Sequence, residues 1–217
     1  MAIAAQSAED LLAAEQLLAG ETWKDMLGEL LPRQGAWSEE EYLVLTEHRG
    51  RLVEYTDGFL EVLPVPTDHH QALLSFLFLA FFHFFHPRGG TVRFAPLRLR
   101  VRKGKYREPD LLLLFSATDP RRNNRYWEGA DIAVEVVSED KPERDLVDKR
   151  QDYAEAHVPE YWIVNPLTES ITVLRLQGNA YEETGVYRRG QSAASVARPD
   201  FSVAVAELFD FPQKTGE

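Results

Sequence analysis

Glu108-Pro109-Asp110, Glu135-Val136-Val137 and Lys149 are the residues of this chain whose types could do chemistry together. Asp110 and Glu135 stand at the start and in the middle of two apolar runs, so their carboxylates are expected on adjacent buried strands. Lys149 lies in an amphipathic helical stretch and could aim its ammonium at the same place. Two carboxylates and a lysine are the minimum set that holds a hard cation and activates a water against a phosphodiester.

Each of these residues also has a plainer reading. Strand alternation puts Glu135 on one face with Ala133 and Val137. A carboxylate there must either pair with a buried arginine or lysine or bind a metal. Asp110 could be a turn residue following Pro109, unless its strand pairs with that of Glu135 and the two carboxylates converge. Lys149 shares a helical stripe with Leu146, Tyr153 and Ala156, which points it toward the packed side; the plainer alternatives are snorkelling or a pair with Asp145.

Three further features are subsidiary. Glu54 sits beside the Asp57-Gly58 turn, either as an additional metal contact or as a solvated hairpin residue. His69 and His70 open an apolar helix, where a histidine is either a site residue or a structural hydrogen-bonding group. No His-x-x-x-His spacing or cysteine accompanies them, which excludes the usual zinc sites. Arg98, Arg100 and Arg102 alternate with apolar residues along one expected strand. They form a wet positive face that either stays solvated or contacts phosphates.

The elements that must position these groups are legible in outline. Ser38 to Glu41 has the capping-box form and starts a short helix through Leu45. Two strand-like runs between Arg51 and Leu63 flank Asp57-Gly58, a strong type I′ hairpin signal. Thr67 or Asp68 caps a helix that runs to about Phe85 and is apolar around most of its circumference. It must therefore be buried by the core or by a second copy of the chain, which makes a homodimer through Phe76 to Phe85 an expectation. Strands follow at 97–102, 111–115 and 132–137, then a helix from Pro142 to about His157. Further strands lie at 161–164 and 171–176, and a β-rich tail ends near Phe209. The order predicts an α/β fold with one mixed central sheet.

Composition sets the boundaries. The chain has 217 residues, which suits one domain at 37–210 with a helical extension at 1–36 and a short tail at 211–217. It has no cysteine, which excludes disulfides and thiolate chemistry and suits a reducing cytoplasm. The first twenty residues lack the pattern of a signal peptide, and the apolar run 72–85 is too short to span a bilayer. A net charge of −11 argues against wholesale attraction to nucleic acid, yet the segment 88–107 carries eight basic residues and no acidic one.

Together these strings resemble the Uma-type family of putative restriction endonucleases, within the PD-(D/E)XK nuclease superfamily. The resemblance covers about residues 37 to 209. It is carried by Leu52-Val53-Glu54-Tyr55 with Asp57-Gly58, by PTDHHQ and REPDLLLLF, by GADIAVEVVSEDKPERDLVDKRQDYAEAHVPEYWIVNP, and by RPDFSVAVAELF. It implies a restriction-endonuclease-like core, a central sheet flanked by helices with β-hairpin additions. It also implies Asp110 and Glu135 as ligands of Mg²⁺ or Mn²⁺, and DNA as substrate. Glu54 and His70 match motif positions. The superfamily's lysine two residues after the glutamate is replaced here by Val137, and Lys149 takes the matching position on the following helix. That departure leaves a second expectation beside a metal-dependent endonuclease: a catalytically silent nucleic-acid-binding or scaffold protein of the same fold.

Overall fold

The computed structural model describes residues 31–47, 52–138 and 147–211. Residues 1–30 of the expected helical extension, the helix start at Pro142 and most of the C-terminal tail lie outside the described residues. The first element is helix α1 (Glu39–Glu47). Its capping box is closed reciprocally: Glu41 N donates to Ser38 Oγ at 3.2 Å, and Ser38 N donates to Glu41 Oε2 at 2.8 Å. Strands β1 (Val53–Thr56) and β2 (Phe59–Val62) follow. Their two-residue turn puts Asp57 and Gly58 at positive φ, 46° and 91°, as a type I′ hairpin demands.

Helix α2 (Asp68–Phe85) is capped by Thr67, whose hydroxyl accepts from His70 N at 3.2 Å. Then come β3 (Thr91–Phe94), β4 (Arg98–Arg102), β5 (Lys105–Arg107), β6 (Leu111–Leu114), β7 (Tyr126–Trp127) and β8 (Ile132–Val136). Helix α3 (Lys149–Glu155) leads into β9 (Glu160–Asn165), β10 (Ser170–Gln177), β11 (Ala180–Tyr187), β12 (Ser192–Ala194) and β13 (Ser202–Ala204). The last described element is a helix, α4 (Val205–Asp210), where a strand-rich end was expected.

The strands form two larger sheets, not one central sheet. The order β2-β1-β5-β4-β7 makes a five-stranded sheet, β11-β10-β9-β8-β6-β3 a six-stranded one, and β12 pairs with β13. Both larger sheets are mixed: β4 runs parallel to β7 and β8 parallel to β9, while their other pairings are antiparallel. The correction comes from strand 97–102. A turn through Lys103-Gly104 folds it back on β5, and β5 in turn pairs with the β1–β2 hairpin. The place beside β6 is taken instead by β3.

Alternation along β8 divides the core. Val134 and Val136 pack with α2 residues Leu73, Leu77, Phe81 and Phe85. Ala133 and Val137 turn the other way, toward Tyr153 of α3 and Leu99 and Trp127 of the five-stranded sheet. Helix α2 thus buries its main face on its own sheet. Leu79 on the helix and Phe94 on the adjacent edge strand remain exposed. Among the described residues, no helix is long and apolar enough to cross a membrane.

Candidate active-site cleft

A small cleft of about 80 Å³ opens where β6 begins and β8 ends, on the side facing α3. Glu108, Asp110, Glu135, Lys149 and His70 line it, and the segment Leu63 to Thr67 forms one rim. A space of that size has room for several waters, and these five side chains supply its polar floor.

Glu135 is 2% exposed, in the middle of a strand whose neighbours are apolar. Its charge is met by Lys149, itself 3% exposed, whose Nζ lies 2.7 Å from Oε1. The hydroxyl of Tyr153 donates to the same oxygen. Residues 149 and 153 are one helical turn apart, so both reach the strand from one face of α3. The lysine stripe expected on this helix therefore points inward, at Glu135.

Asp110 directly precedes β6, which pairs antiparallel with β8 through Leu111 and Val134. That register brings Asp110 beside the end of β8, where its Oδ2 accepts from Val136 N at 2.7 Å. Its Oδ1 lies 3.1 Å from His70 Nε2. Burial pushes the Asp110 carboxyl up, but the His70 hydrogen bond and charge, Lys149 and the Val136 N–H outweigh it and hold the group below the ordinary aspartate value. Thr67 fixes the first turn of α2, and so aims His70, not His69, at Asp110.

Glu54 is a buried residue, not a solvated one. Its Oε1 accepts from Glu108 N at 3.3 Å and lies 4.0 Å from Lys149 Nζ, while its Oε2 is 3.6 Å from Arg107 Nε. It thus faces the lysine side of the site. The three strand arginines differ from one another. Arg98 is buried, donating to Thr46 Oγ1 at 2.6 Å with its Nε 3.8 Å from Glu108, so the strand does not present a uniformly wet face. Arg100 pairs with Glu128, and Arg102 with Asp57 and Glu155, at the surface.

Residues 39–206 match the model of the Uma2 family, described as putative restriction endonuclease. This chain belongs to the Uma2 family. The fold also resembles the crystal structure of a putative nuclease belonging to DUF820 from Anabaena variabilis. The TM-score is 0.65 at 19% identity, covering 83% of this chain and 99% of that one. Among curated proteins no match is found.

The donor set of this Uma2 member fits a hard divalent cation. Asp110 and Glu135 offer only oxygen, at the floor of a cleft open to water. Among the described residues, no group of three or more histidine, cysteine, aspartate or glutamate side chains forms a cage. The protein's share would be two carboxylates, leaving the other positions to waters and phosphate oxygens, as Mg²⁺ ordinarily accepts.

Three participants were given no role of their own by the sequence motifs. Glu108 was legible in principle: two residues before Asp110 on extended backbone, it shares that residue's face. Burial pushes its carboxyl up to about 8, against the lowering effects of Arg98 and the Val53 N–H. Arg107 and Tyr153 carried no signal beyond strand and helix periodicity, because their partners are distant in sequence.

Proposed function

We propose that this chain is a cytoplasmic, metal-dependent endonuclease with a restriction-endonuclease-like core, hydrolysing phosphodiester bonds of DNA. The observation that carries the reading is that Asp110, Glu135 and Lys149 share one cleft, on two adjacent strands and the helix packed across them. Asp110 and Glu135 would hold Mg²⁺ or Mn²⁺. The bound ion would polarise the scissile phosphate and acidify a water. Lys149 would orient that water and offset charge gathering on the phosphate oxygens. His70 and the Val136 N–H keep Asp110 ionised and fixed, so the carboxylate needs no reorganisation when substrate arrives.

The competing reading is a catalytically silent nucleic-acid-binding protein. It is favoured by the Lys149–Glu135 pair, which already neutralises one proposed ligand, and by Val137 in place of the superfamily lysine. The test is cleavage of supercoiled plasmid with Mg²⁺ or Mn²⁺, run beside the Glu135→Ala variant from the same preparation. Nicking by the native chain alone, abolished by chelator, is the expected result. Equal nicking by both proteins would remove the assignment. Salt-dependent DNA binding that ignores the metal, with no nicking, would favour the silent reading.

A further inference from the structure

We propose that Tyr153 is a positioning residue that holds Glu135 in the orientation a metal ion requires; this rests on the nuclease reading above. Lys149 and Tyr153 address the same oxygen of Glu135 but in different ways. The lysine neutralises the carboxylate. The tyrosine, a neutral donor, fixes one oxygen and leaves the charge in place. When Lys149 turns to a phosphate, the Tyr153 hydrogen bond still sets the plane of the carboxylate.

The surroundings make Tyr153 suitable for this. It is completely buried and packs edge-on against Tyr161, with ring centroids 5.0 Å apart. Its ring belongs to the cluster containing Ala133 and Val137, the residues that flank Glu135 on the same strand face. The next-door residue Asp152 anchors the helix, with Lys105 Nζ and Arg107 Nε each 2.5 Å from its carboxylate. Glu155 adds contacts to Lys105 at 3.0 Å and Arg102 at 2.9 Å. Helix α3 is thus fastened to the five-stranded sheet while Tyr153 reaches across to the six-stranded one. A phenol is ordinarily protonated at neutral pH and so serves as a donor.

The merely structural alternative is that a buried phenol needs an acceptor and Glu135 happens to supply it. Tyr153→Phe separates the two, with Tyr181→Phe as control. Tyr181 is a partly buried tyrosine packed against this cluster, and its hydroxyl donates to Val158 O at 2.6 Å, away from the cleft. Binding of Mn²⁺ alone is measured by titration calorimetry, with thermal unfolding alongside. Tyr153→Phe is expected to weaken Mn²⁺ about 10- to 100-fold, the usual effect of removing a group that orients a ligand. The Mn²⁺ concentration giving half-maximal nicking should rise by the same factor. Tyr181→Phe should lower thermal stability by a similar amount and leave both unchanged. Native Mn²⁺ affinity in Tyr153→Phe would overturn the positioning role while leaving the nuclease reading intact. Absence of Mn²⁺ binding by the native chain would overturn both.

Discussion

Arg107 stands between Glu54 and Asp152, its Nε 3.6 Å from one carboxylate and 2.5 Å from the other. It also donates to Thr56 Oγ1 at 2.9 Å, so one guanidinium of β5 ties the hairpin strand β1 to helix α3. Glu54 and Asp152 are both buried, which makes removal of the cation costly. Arg107→Met leaves them facing each other with reduced compensation. A loss of about 3–5 kcal/mol in unfolding free energy is expected, the range for breaking a buried pair from one side. Urea denaturation checks this. A loss under about 1 kcal/mol would mean that Lys105 and Lys149 carry the two carboxylates without Arg107.

In the proposed reaction Lys149 would supply from α3 the positive charge beside Glu135. Val137 lies on the same face of the strand as Glu135, in the cluster with Tyr153. Lys149→Ala should reduce plasmid nicking by at least about 100-fold, the scale for losing one preorganised electrostatic group. Adding Val137→Lys to that variant returns an ammonium to the same face and should recover part of the lost rate. Full activity in Lys149→Ala would remove the lysine from the mechanism. A double variant no better than the single one would show that approach from the helix is essential.

Glu108 gives a pH signature with a definite sign. Its folded-state value of about 8 lies above the ordinary 4.5, so between those values the folded protein holds a proton that the unfolded chain has released. Stability must therefore fall as pH rises through this window, with a limiting slope of about 1.4 kcal/mol per pH unit. Glu108→Gln removes the effect. Relative to the native chain, the variant should gain stability progressively from about pH 5 to 8 and level off above. Asp110, whose value is depressed, acts in the opposite sense: its contribution is present at neutral pH and is lost only as pH falls below the ordinary aspartate range. A difference between Glu108→Gln and the native chain that does not vary from pH 5 to 8 would rule out the buried proton.

What could be read from the sequence follows from the range of the interactions involved. The Ser38 capping box, the Asp57-Gly58 turn and the Thr67 cap are local, and each forms as its residues dictate. Asp110 and Glu135 were legible because β6 and β8 are close in sequence and both wholly buried, apolar except for Glu135, which brought the two carboxylates to one strand end. The division into two sheets was not legible. It depends on β5 choosing β1, about fifty residues earlier, over its successor β6. For the same reason the sequence left Glu54 open between a metal contact and a solvated hairpin residue: its partners Arg107 and Lys149 are connected to it by no local pattern.

The basic segment 88–107 raises a last question, whether its arginines meet DNA. Arg98, buried against Thr46 and Glu108, is in no position to release a counterion from a phosphate without breaking the interior. Arg98→Ala should lower stability and leave the salt dependence of DNA binding unchanged. Arg100 and Arg102 are at the surface but paired, with Glu128 at 3.3 Å and with Asp57 at 2.7 Å. If they exchange those carboxylates for phosphates, Arg100→Ala and Arg102→Ala should each reduce the slope of log affinity against log salt by about 1. Glu128→Gln, by freeing Arg100 from competition, should strengthen binding in the native background. Slopes that do not move in either alanine variant would mean that these cations serve Glu128, Asp57 and Glu155 alone, and that the DNA path lies on another face.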